Sequence, residues 1–179
     1  MRNWTRDMAW GETRLRWVPP SPNISYARSP LYYVATGMVG ELGNVKTGVG
    51  GSAPFEMIAS KWLNAERFSS YLDSLYMPGV SFRPFRRGRA QGALLSIEPK
   101  APADPTALGV HMLDQLNRSS GGAIFARSRR SQLDLFFKVY GSSSIRSQLQ
   151  RGVPVSSIVG LWKEDVTRFR SQRAAYLIY

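Results

Sequence analysis

Six glycines fall within residues 37–51, and this density constrains the fold more than any other feature of the sequence. Glycine has no Cβ atom, so its backbone adopts left-handed conformations and approaches neighbouring groups closely. The stretch therefore predicts a loop that lies against another part of the protein or against a ligand. Just before it, residues 31–34 are aromatic and β-branched enough to predict a buried strand. Three prolines within residues 19–22 predict an extended loop further upstream.

Two later stretches have the periodicity of amphipathic helices. The first begins after Asn64, a plausible N-cap, ends at Pro78-Gly79, and carries one apolar face formed by Phe68, Leu72, Leu75 and Tyr76. The second begins at Thr106 and carries Leu108, Met112, Leu113 and Leu116 on one side. Between them, residues 80–82 and 93–97 predict two strands joined by the basic turn 86–92, which is typical of a hairpin.

The remainder of the chain predicts short elements. We expect a strand at residues 123–125, a packed segment at 133–140, and a short helix that follows Ser142–Ser144 and ends at Gly152. A last helix is expected from Pro154, with one stripe formed by Ile158, Leu161, Trp162, Asp165 and Phe169. Residues 176–179 predict a terminal strand docked into the sheet. The whole pattern indicates an α+β fold, a small mixed sheet with packed helices.

Composition excludes several chemistries. The 179 residues contain no cysteine and one histidine, which removes disulfides, thiolate catalysis, zinc–thiolate sites and multi-histidine metal sites. We therefore expect no metal and no cofactor. Residues 1–17 lack the apolar core of a signal peptide, and no run approaches the ~18 apolar residues that a membrane span needs.

The net charge of +12 makes an anionic partner worth considering. Most of the excess is arginine, clustered within residues 83–89, 127–130 and 168–173. Only five of the 24 basic residues are lysines, and no stacking motif or recognition helix accompanies the arginines, so nucleic acid is disfavoured. A solvated surface or an anionic cell-wall polymer fits the same charge.

Individual motifs are weak taken one at a time. Residues 48–53 match the Gly-x-Gly-x-x-Gly/Ala nucleotide fingerprint, but no clean strand precedes them and Pro54 interrupts the helix that should follow. Glu41 and Glu56 flank the glycine loop and could form a glycosidase pair, although ordinary hydrogen bonding to loop amides is the simpler interpretation. His111 has no catalytic companion in the sequence, and the tryptophans could stack on sugars or pack in the core.

The order of these segments resembles the NamZ exo-β-N-acetylmuramidase family over nearly the whole chain. The residues that carry the resemblance are Trp17-Val-Pro-Pro-Ser-Pro-Asn23-Ile24, Glu41-x-x-Asn44-Val45-x-x-Gly48-x-Gly50, Pro54-Phe55-Glu56, Trp62, Pro78-Gly79-Val80-x-Phe82-x-Pro84 and Trp162-x-x-Asp165-x-x-x-Phe169-x-x-x-Arg173-x-x-Tyr176-Leu177-Ile178-Tyr179. The resemblance implies substrate-binding roles for Asn23, Glu41, Asn44, Gly48 and Gly50. It implies no catalytic residue here, because the proposed catalytic glutamate of the family lies in a Pro-Glu-His-Gly motif that this sequence lacks.

The glycine loop departs from the family pattern at two positions. Thr47 replaces a glutamate and Val49 replaces an arginine, whose fork would suit the lactyl carboxylate of muramic acid. The family has a Rossmann-like catalytic half followed by a smaller α+β half. The resemblance therefore implies a divergent, truncated member, in which residues 1–60 are the end of the Rossmann-like domain and 61–179 the auxiliary domain.

The function that follows is part of a glycoside hydrolase acting on muramyl sugars of peptidoglycan. This chain would supply the rim of the substrate cleft, would be inactive when isolated, and would need a separate N-terminal catalytic half. The resemblance also implies an extracytoplasmic location and no membrane partner. The alternative is a non-catalytic binding module for an anionic cell-wall polymer or a partner subunit.

Overall fold

The structure is a computed structural model, and it describes residues 4–178. The elements in chain order are a 3₁₀ turn at Trp10–Thr13, α1 at Ser29–Gly40, β1 at Met57–Ser60, α2 at Ala65–Asp73, β2 at Val80–Arg87, β3 at Ala90–Ile97, α3 at Pro105–Ser119, α4 at Arg130–Tyr140, α5 at Ser144–Gln150, α6 at Val155–Gly160 and α7 at Trp162–Ala174. The α+β class predicted from the sequence is confirmed.

The strands form one antiparallel sheet in the order β1-β3-β2. Met57 pairs with Leu94 across β1 and β3, and Phe82 pairs with Leu95 across β2 and β3. The predicted hairpin is present, but its strands are longer and its turn is tighter than expected. Gly88 occupies the first turn position with φ 59°, a left-handed conformation that two-residue hairpins favour for glycine.

Helix α2 follows the prediction closely. The side chain of Asn64 accepts a hydrogen bond of 2.9 Å from the backbone N–H of Arg67, so the predicted N-cap is confirmed. Phe68 and Leu72 are buried, as their spacing requires. Tyr76 is 88% exposed and lies outside the helix, so the apolar face is shorter than expected.

The strand predicted at residues 31–34 is wrong, because these residues lie in helix α1. A short apolar run cannot by itself distinguish a buried strand from a buried helix. Pro30 fits the first turn of the helix, because backbone N–H groups there have no hydrogen-bond partner within the helix and proline therefore loses none. Tyr32, Ala35 and Val39 are buried at helical spacing, and α1 packs against α3.

Helix α3 crosses the centre of the core and confirms the second predicted helix. Its buried residues include all four members of the predicted apolar face: Leu108, Met112, Leu113 and Leu116. Asp104 caps it by accepting hydrogen bonds from the N–H groups of Thr106 and Ala107. The sheet and α2 pack on one side of this core, and α1 and α6 contact α3.

Three predictions near the C-terminus are wrong. Residues 123–125 are not a strand, since 124–127 form a turn that buries Ile124 and Phe125. The single helix expected from Pro154 is two helices, α6 and α7. Residues 175–178 are not a docked strand, because Ile178 is 89% exposed. Tyr179 lies outside the described residues. The short helix after Ser142–Ser144 is confirmed as α5.

Residues on both sides of position 60 contribute to one core. Ile58 of β1 and Phe68 of α2 belong to the same buried cluster. The assignment of residues 1–60 to the end of a Rossmann-like domain stays a prediction. Within residues 4–178, no helix combines the length and apolar character that crossing a membrane requires.

Candidate functional site

A cleft of about 1220 Å³ opens between residues 19–24, which contain three prolines and are called the proline-rich segment below, α1, the glycine loop and the tip of the β2–β3 hairpin. Four of the five residues predicted to bind substrate line it: Asn23, Glu41, Gly48 and Gly50. Three consecutive segments within residues 21–57 thus meet the distant hairpin around one concave surface.

The loop predicted at residues 37–51 is confirmed only from residue 41, because Gly37 and Gly40 lie in helix α1. The glycine loop, residues 41–56, is anchored to the sheet at one end and closed on itself at the other. Lys46 and Ala59 exchange backbone hydrogen bonds of 2.7 and 2.9 Å, which extends the edge of the sheet next to β1. The N–H of Gly51 donates to the carbonyl of Gly48 at 3.0 Å. Gly48 and Gly50 have φ of 83° and 81°, which explains why glycine occupies these two positions.

The apolar side of the cleft is formed by Tyr33 of α1 and Phe55, whose rings meet edge to face with centroids 4.9 Å apart. The hydroxyl of Thr36 donates to the carbonyl of Phe55 at 2.9 Å, and Thr36 is fully buried. This bond fixes the end of the glycine loop against α1. Phe85 of β2 adds a third aromatic residue to the lining of the cleft.

The proline-rich segment is held in place by an ion pair and an indole. Arg28 donates to the carboxylate of Glu56 at 2.7 Å, and Trp17 Nε1 donates to the carbonyl of Ile24 at 3.2 Å. These contacts position Asn23, whose side chain is exposed at the mouth of the cleft. The two carboxylates considered as a pair therefore have different environments, since Glu41 lines the cleft and Glu56 binds Arg28.

Two cationic residues of the cleft were missed from the sequence. Lys46 and Arg87 line it together with Glu41, and within residues 4–178 none of the three forms an ion pair. Arg87 ends β2 beside the turn, where the sequence shows only one of several arginines. Arg87 reaches the cleft because of the pairing register of the hairpin, and the sequence pattern did not predict that register.

Asn44 does not line the cleft. Its Nδ2 donates to the carbonyl of Ile124 at 2.9 Å and to the hydroxyl of Ser128 at 2.8 Å, which ties the glycine loop to the turn before α4. Its predicted role in substrate binding stays a prediction. The observed contacts are those of a residue that holds the loop in place.

A second cavity of about 620 Å³ adjoins the cleft and contains Asn44 in its wall. Among the described residues, no carboxylate lines it, and five cationic side chains do: Lys46, Lys61, Arg87, Arg89 and Arg127. Trp62 lines it as well, with the Arg127 guanidinium 5.5 Å from the ring centroid. This cavity is called the basic pocket below.

His111 lies apart from both cavities, between α2 and α3. Its Nδ1 is 3.4 Å from the hydroxyl of Tyr71. Burial lowers the pKa of His111, and the nearby Asp114 carboxylate opposes that shift. Burial likewise raises the pKa of Tyr71. Asp114 itself accepts a hydrogen bond from Arg118 at 2.8 Å.

In the part of the chain that the structure describes, no three His, Asp or Glu side chains are grouped closely enough to hold a metal ion. The cleft offers instead aromatic rings, an exposed amide, one carboxylate and two cations. Such a set suits a polar ring that carries a negative substituent, because rings pack on aromatic faces and cations pair with the anion.

Comparison with known families resolves the identity of the fold. The model of the family described as "Exo-beta-N-acetylmuramidase NamZ, C-terminal" matches residues 31–179. The chain belongs to this family. It is also 28% identical to the peptidoglycan beta-N-acetylmuramidase NamZ of Bacillus subtilis (strain 168), over all of this chain and 44% of that protein.

A solved structure agrees with this placement. The crystal structure of a DUF1343 family protein from Bacteroides fragilis superposes with a TM-score of 0.89 and 29% identity over 98% of this chain and 48% of that protein. The chain thus spans about half the length of the relatives that it matches.

Proposed function

We propose that this chain is the substrate-binding, non-catalytic part of a glycoside hydrolase that releases N-acetylmuramic acid from peptidoglycan fragments. One observation carries the proposal. Asn23, Glu41, Gly48 and Gly50, singled out by their resemblance to the NamZ family, line a single cleft in a chain that belongs to that family. Peptidoglycan lies outside the cytoplasm, so the proposed compartment is extracytoplasmic.

The cleft has the features that a muramyl sugar needs. Tyr33 and Phe85 provide aromatic faces for the pyranose ring. The Asn23 amide and the Glu41 carboxylate can hydrogen-bond hydroxyl and acetamido groups at the rim.

The lactyl carboxylate of muramic acid requires a cation. Val49, which stands where the family usually has arginine, cannot supply one. Lys46 and Arg87 line the same cleft as Val49 and have no carboxylate partner among the described residues. These two side chains replace the missing arginine in the proposed complex, with the Arg87 fork able to pair both carboxylate oxygens.

The chemical step is proposed to come from elsewhere. The 179 residues contain no Pro-Glu-His-Gly motif, and Glu41 lacks a carboxylate partner across the cleft. A Rossmann-like half that carries the acid would close over the cleft. The isolated chain should bind the sugar without hydrolysing it.

Binding tests this proposal directly. Amide chemical shifts of the ¹⁵N-labelled chain would be followed during titration with N-acetylmuramic acid, and with N-acetylglucosamine, which lacks the lactyl group. We expect the first sugar to shift residues of the glycine loop, and Arg87→Gln to weaken its binding by roughly tenfold. Arg83→Gln, an exposed arginine of the same strand outside the cleft, is the matched control. Equal binding of both sugars, or equal effects of both variants, would contradict the carboxylate assignment.

The basic pocket favours a second candidate, a binding module for anionic cell-wall polymer. Its five cationic side chains have no ion-pair partner among residues 4–178. A module of this kind would be retained on insoluble peptidoglycan at low ionic strength and released as salt is added, because exposed charges are screened beyond ~10 Å at 0.1 M salt. Retention without salt dependence, or no retention, would remove this candidate.

A further inference from the structure

The basic pocket collects cations from four separate parts of the chain, of which Lys46 in the glycine loop is the first. Lys61 follows β1, Arg87 and Arg89 flank Gly88 in the hairpin turn, and Arg127 lies in the turn before α4. Folding therefore brings together charges that are far apart in sequence. Within residues 4–178, no Asp or Glu lines the pocket, and the Glu66 carboxylate near the hairpin pairs instead with Arg86.

Such an arrangement is unfavourable when empty. Like charges around one small cavity repel each other, and because all five cationic residues are exposed, water reduces that repulsion without removing it. Surface arginines that serve only solubility can point apart into solvent. These side chains line one concave cavity of about 620 Å³, so a bound anion would relieve their repulsion.

We propose that the basic pocket binds the phosphoryl group of a phosphorylated saccharide. The phosphoryl site follows from the pocket alone and goes beyond the proposed function. The saccharide part rests on the proposed function, because the pocket shares Val45, Lys46, Arg87 and Ala90 with the cleft.

The geometry favours a phosphoryl group over a carboxylate. A carboxylate carries one negative charge and two oxygens in a plane, which one arginine fork can saturate. A phosphomonoester carries close to two charges and three terminal oxygens that point in different directions. Donors from four segments of the chain match the second anion better, and arginine forks are well suited to phosphate.

The remaining wall favours a sugar as the carrier. Trp62 is partly buried and lines the pocket, so its indole offers an apolar surface beside the cations. The shared residues place the cleft and the pocket side by side, and in the proposed complex one ligand places a sugar in the cleft and its phosphoryl group in the basic pocket.

The test uses the intact chain at low ionic strength, titrated with N-acetylglucosamine 6-phosphate while amide chemical shifts and calorimetric heat are recorded. N-acetylglucosamine and inorganic phosphate are the ligand controls. The variant Arg89→Gln/Arg127→Gln removes two cations that line only the basic pocket. The matched control Arg83→Gln/Arg151→Gln removes the same charge from exposed positions outside both cavities.

We expect the sugar phosphate to bind, with affinity at least roughly tenfold weaker in Arg89→Gln/Arg127→Gln and unchanged in the control variant. No binding by the folded wild-type chain, or an equal loss in both variants, would overturn the site. Inorganic phosphate bound as tightly as the sugar phosphate would overturn the saccharide part. Binding of a single-stranded oligonucleotide more tightly than the sugar phosphate would also overturn the saccharide part, in favour of nucleic acid.

The outcome is separable from that of the proposed function. Binding of the sugar phosphate without binding of N-acetylmuramic acid would keep the phosphoryl site and refute the muramyl proposal. Binding of N-acetylmuramic acid without binding of the sugar phosphate would keep the muramyl proposal and refute the phosphoryl site. Circular dichroism of each variant shows whether a loss of binding is a loss of fold, and the wild-type comparison of phosphorylated with neutral sugar decides the question without any variant.

Discussion

Two glycines of the same loop should differ sharply in their tolerance of alanine. Gly48 and Gly50 both have left-handed φ, near 83° and 81°. A Cβ atom on Gly48 would overlap the backbone carbonyl of Ala53 and lie 3.4 Å from Met57 Cγ, whereas one on Gly50 would meet nothing within 4 Å. Because the overlapped atom is a backbone carbonyl oxygen, the overlap cannot be relieved by rotating a side chain.

The magnitudes follow from these surroundings. Alanine in the left-handed region costs about 1 kcal/mol at either position. Steric overlap at Gly48→Ala adds about 1–3 kcal/mol, the usual range for inserting an atom into a filled site. Each kcal/mol lowers Tm by ~2–4 °C in a protein of this size. Gly50→Ala should lower Tm by about 2–4 °C, and Gly48→Ala by at least about twice as much.

Thermal unfolding followed by circular dichroism measures both shifts, with the wild-type chain as reference. Titration with N-acetylmuramic acid then reports on the cleft. We expect Gly48→Ala to weaken sugar binding, because the loop must open where it lines the cleft. Equal Tm values for Gly48→Ala and Gly50→Ala would refute the loop geometry from which this reasoning starts.

Further predictions concern the fold and the charge. Asn64→Ala should lower stability by about 1 kcal/mol through loss of the α2 cap, and an unchanged Tm would contradict that cap. Burial lowers the pKa of His111 from its ordinary 6.5, so the unfolded chain takes up the proton first as pH falls. Stability should therefore drop below about pH 6.5 down to the folded pKa, and His111→Gln should flatten that part of a stability–pH profile. Chain bound to insoluble peptidoglycan should be released by salt in sedimentation assays, and Asn64→Ala, which keeps the charge and lies outside both cavities, should be released like wild type.

Elements with a clear local signal were predicted well from the sequence. Helix α2 combines a cap at Asn64 with an apolar period, and α3 combines a cap with a four-residue buried face, so local and tertiary preferences agree. The β2–β3 hairpin was recognisable from two β-favouring runs around a glycine-containing turn.

The errors fall where the local signal is ambiguous. Residues 31–34 suit a strand by composition, yet they form helix because α1 buries Tyr32 and Val39 against the core. Residues 176–179 suit a strand by composition, yet Ile178 is largely exposed, and so is Phe169 of the predicted helix stripe, so apolar character alone did not indicate burial. Only tertiary packing distinguishes these cases.

The candidate site was predictable only in part. Asn23, Glu41, Gly48 and Gly50 were found through family resemblance, and the structure gathers them in one cleft. Lys46 and Arg87 were missed because their position depends on the bridge to Ala59 and on the hairpin register. Residues that come together only when distant segments fold against each other have no characteristic spacing in the sequence.

The central claim is that this chain holds the sugar while another half supplies the catalytic acid. The direct test is hydrolysis of a chromogenic N-acetyl-β-muramide by the isolated chain, and by the chain fused behind the N-terminal half of the Bacillus subtilis relative. We expect no hydrolysis by the isolated chain and measurable hydrolysis by the fusion, reduced by Arg87→Gln and unaffected by Arg83→Gln. Hydrolysis by the isolated chain, or a folded fusion that binds N-acetylmuramic acid without cleaving the substrate, would contradict the account.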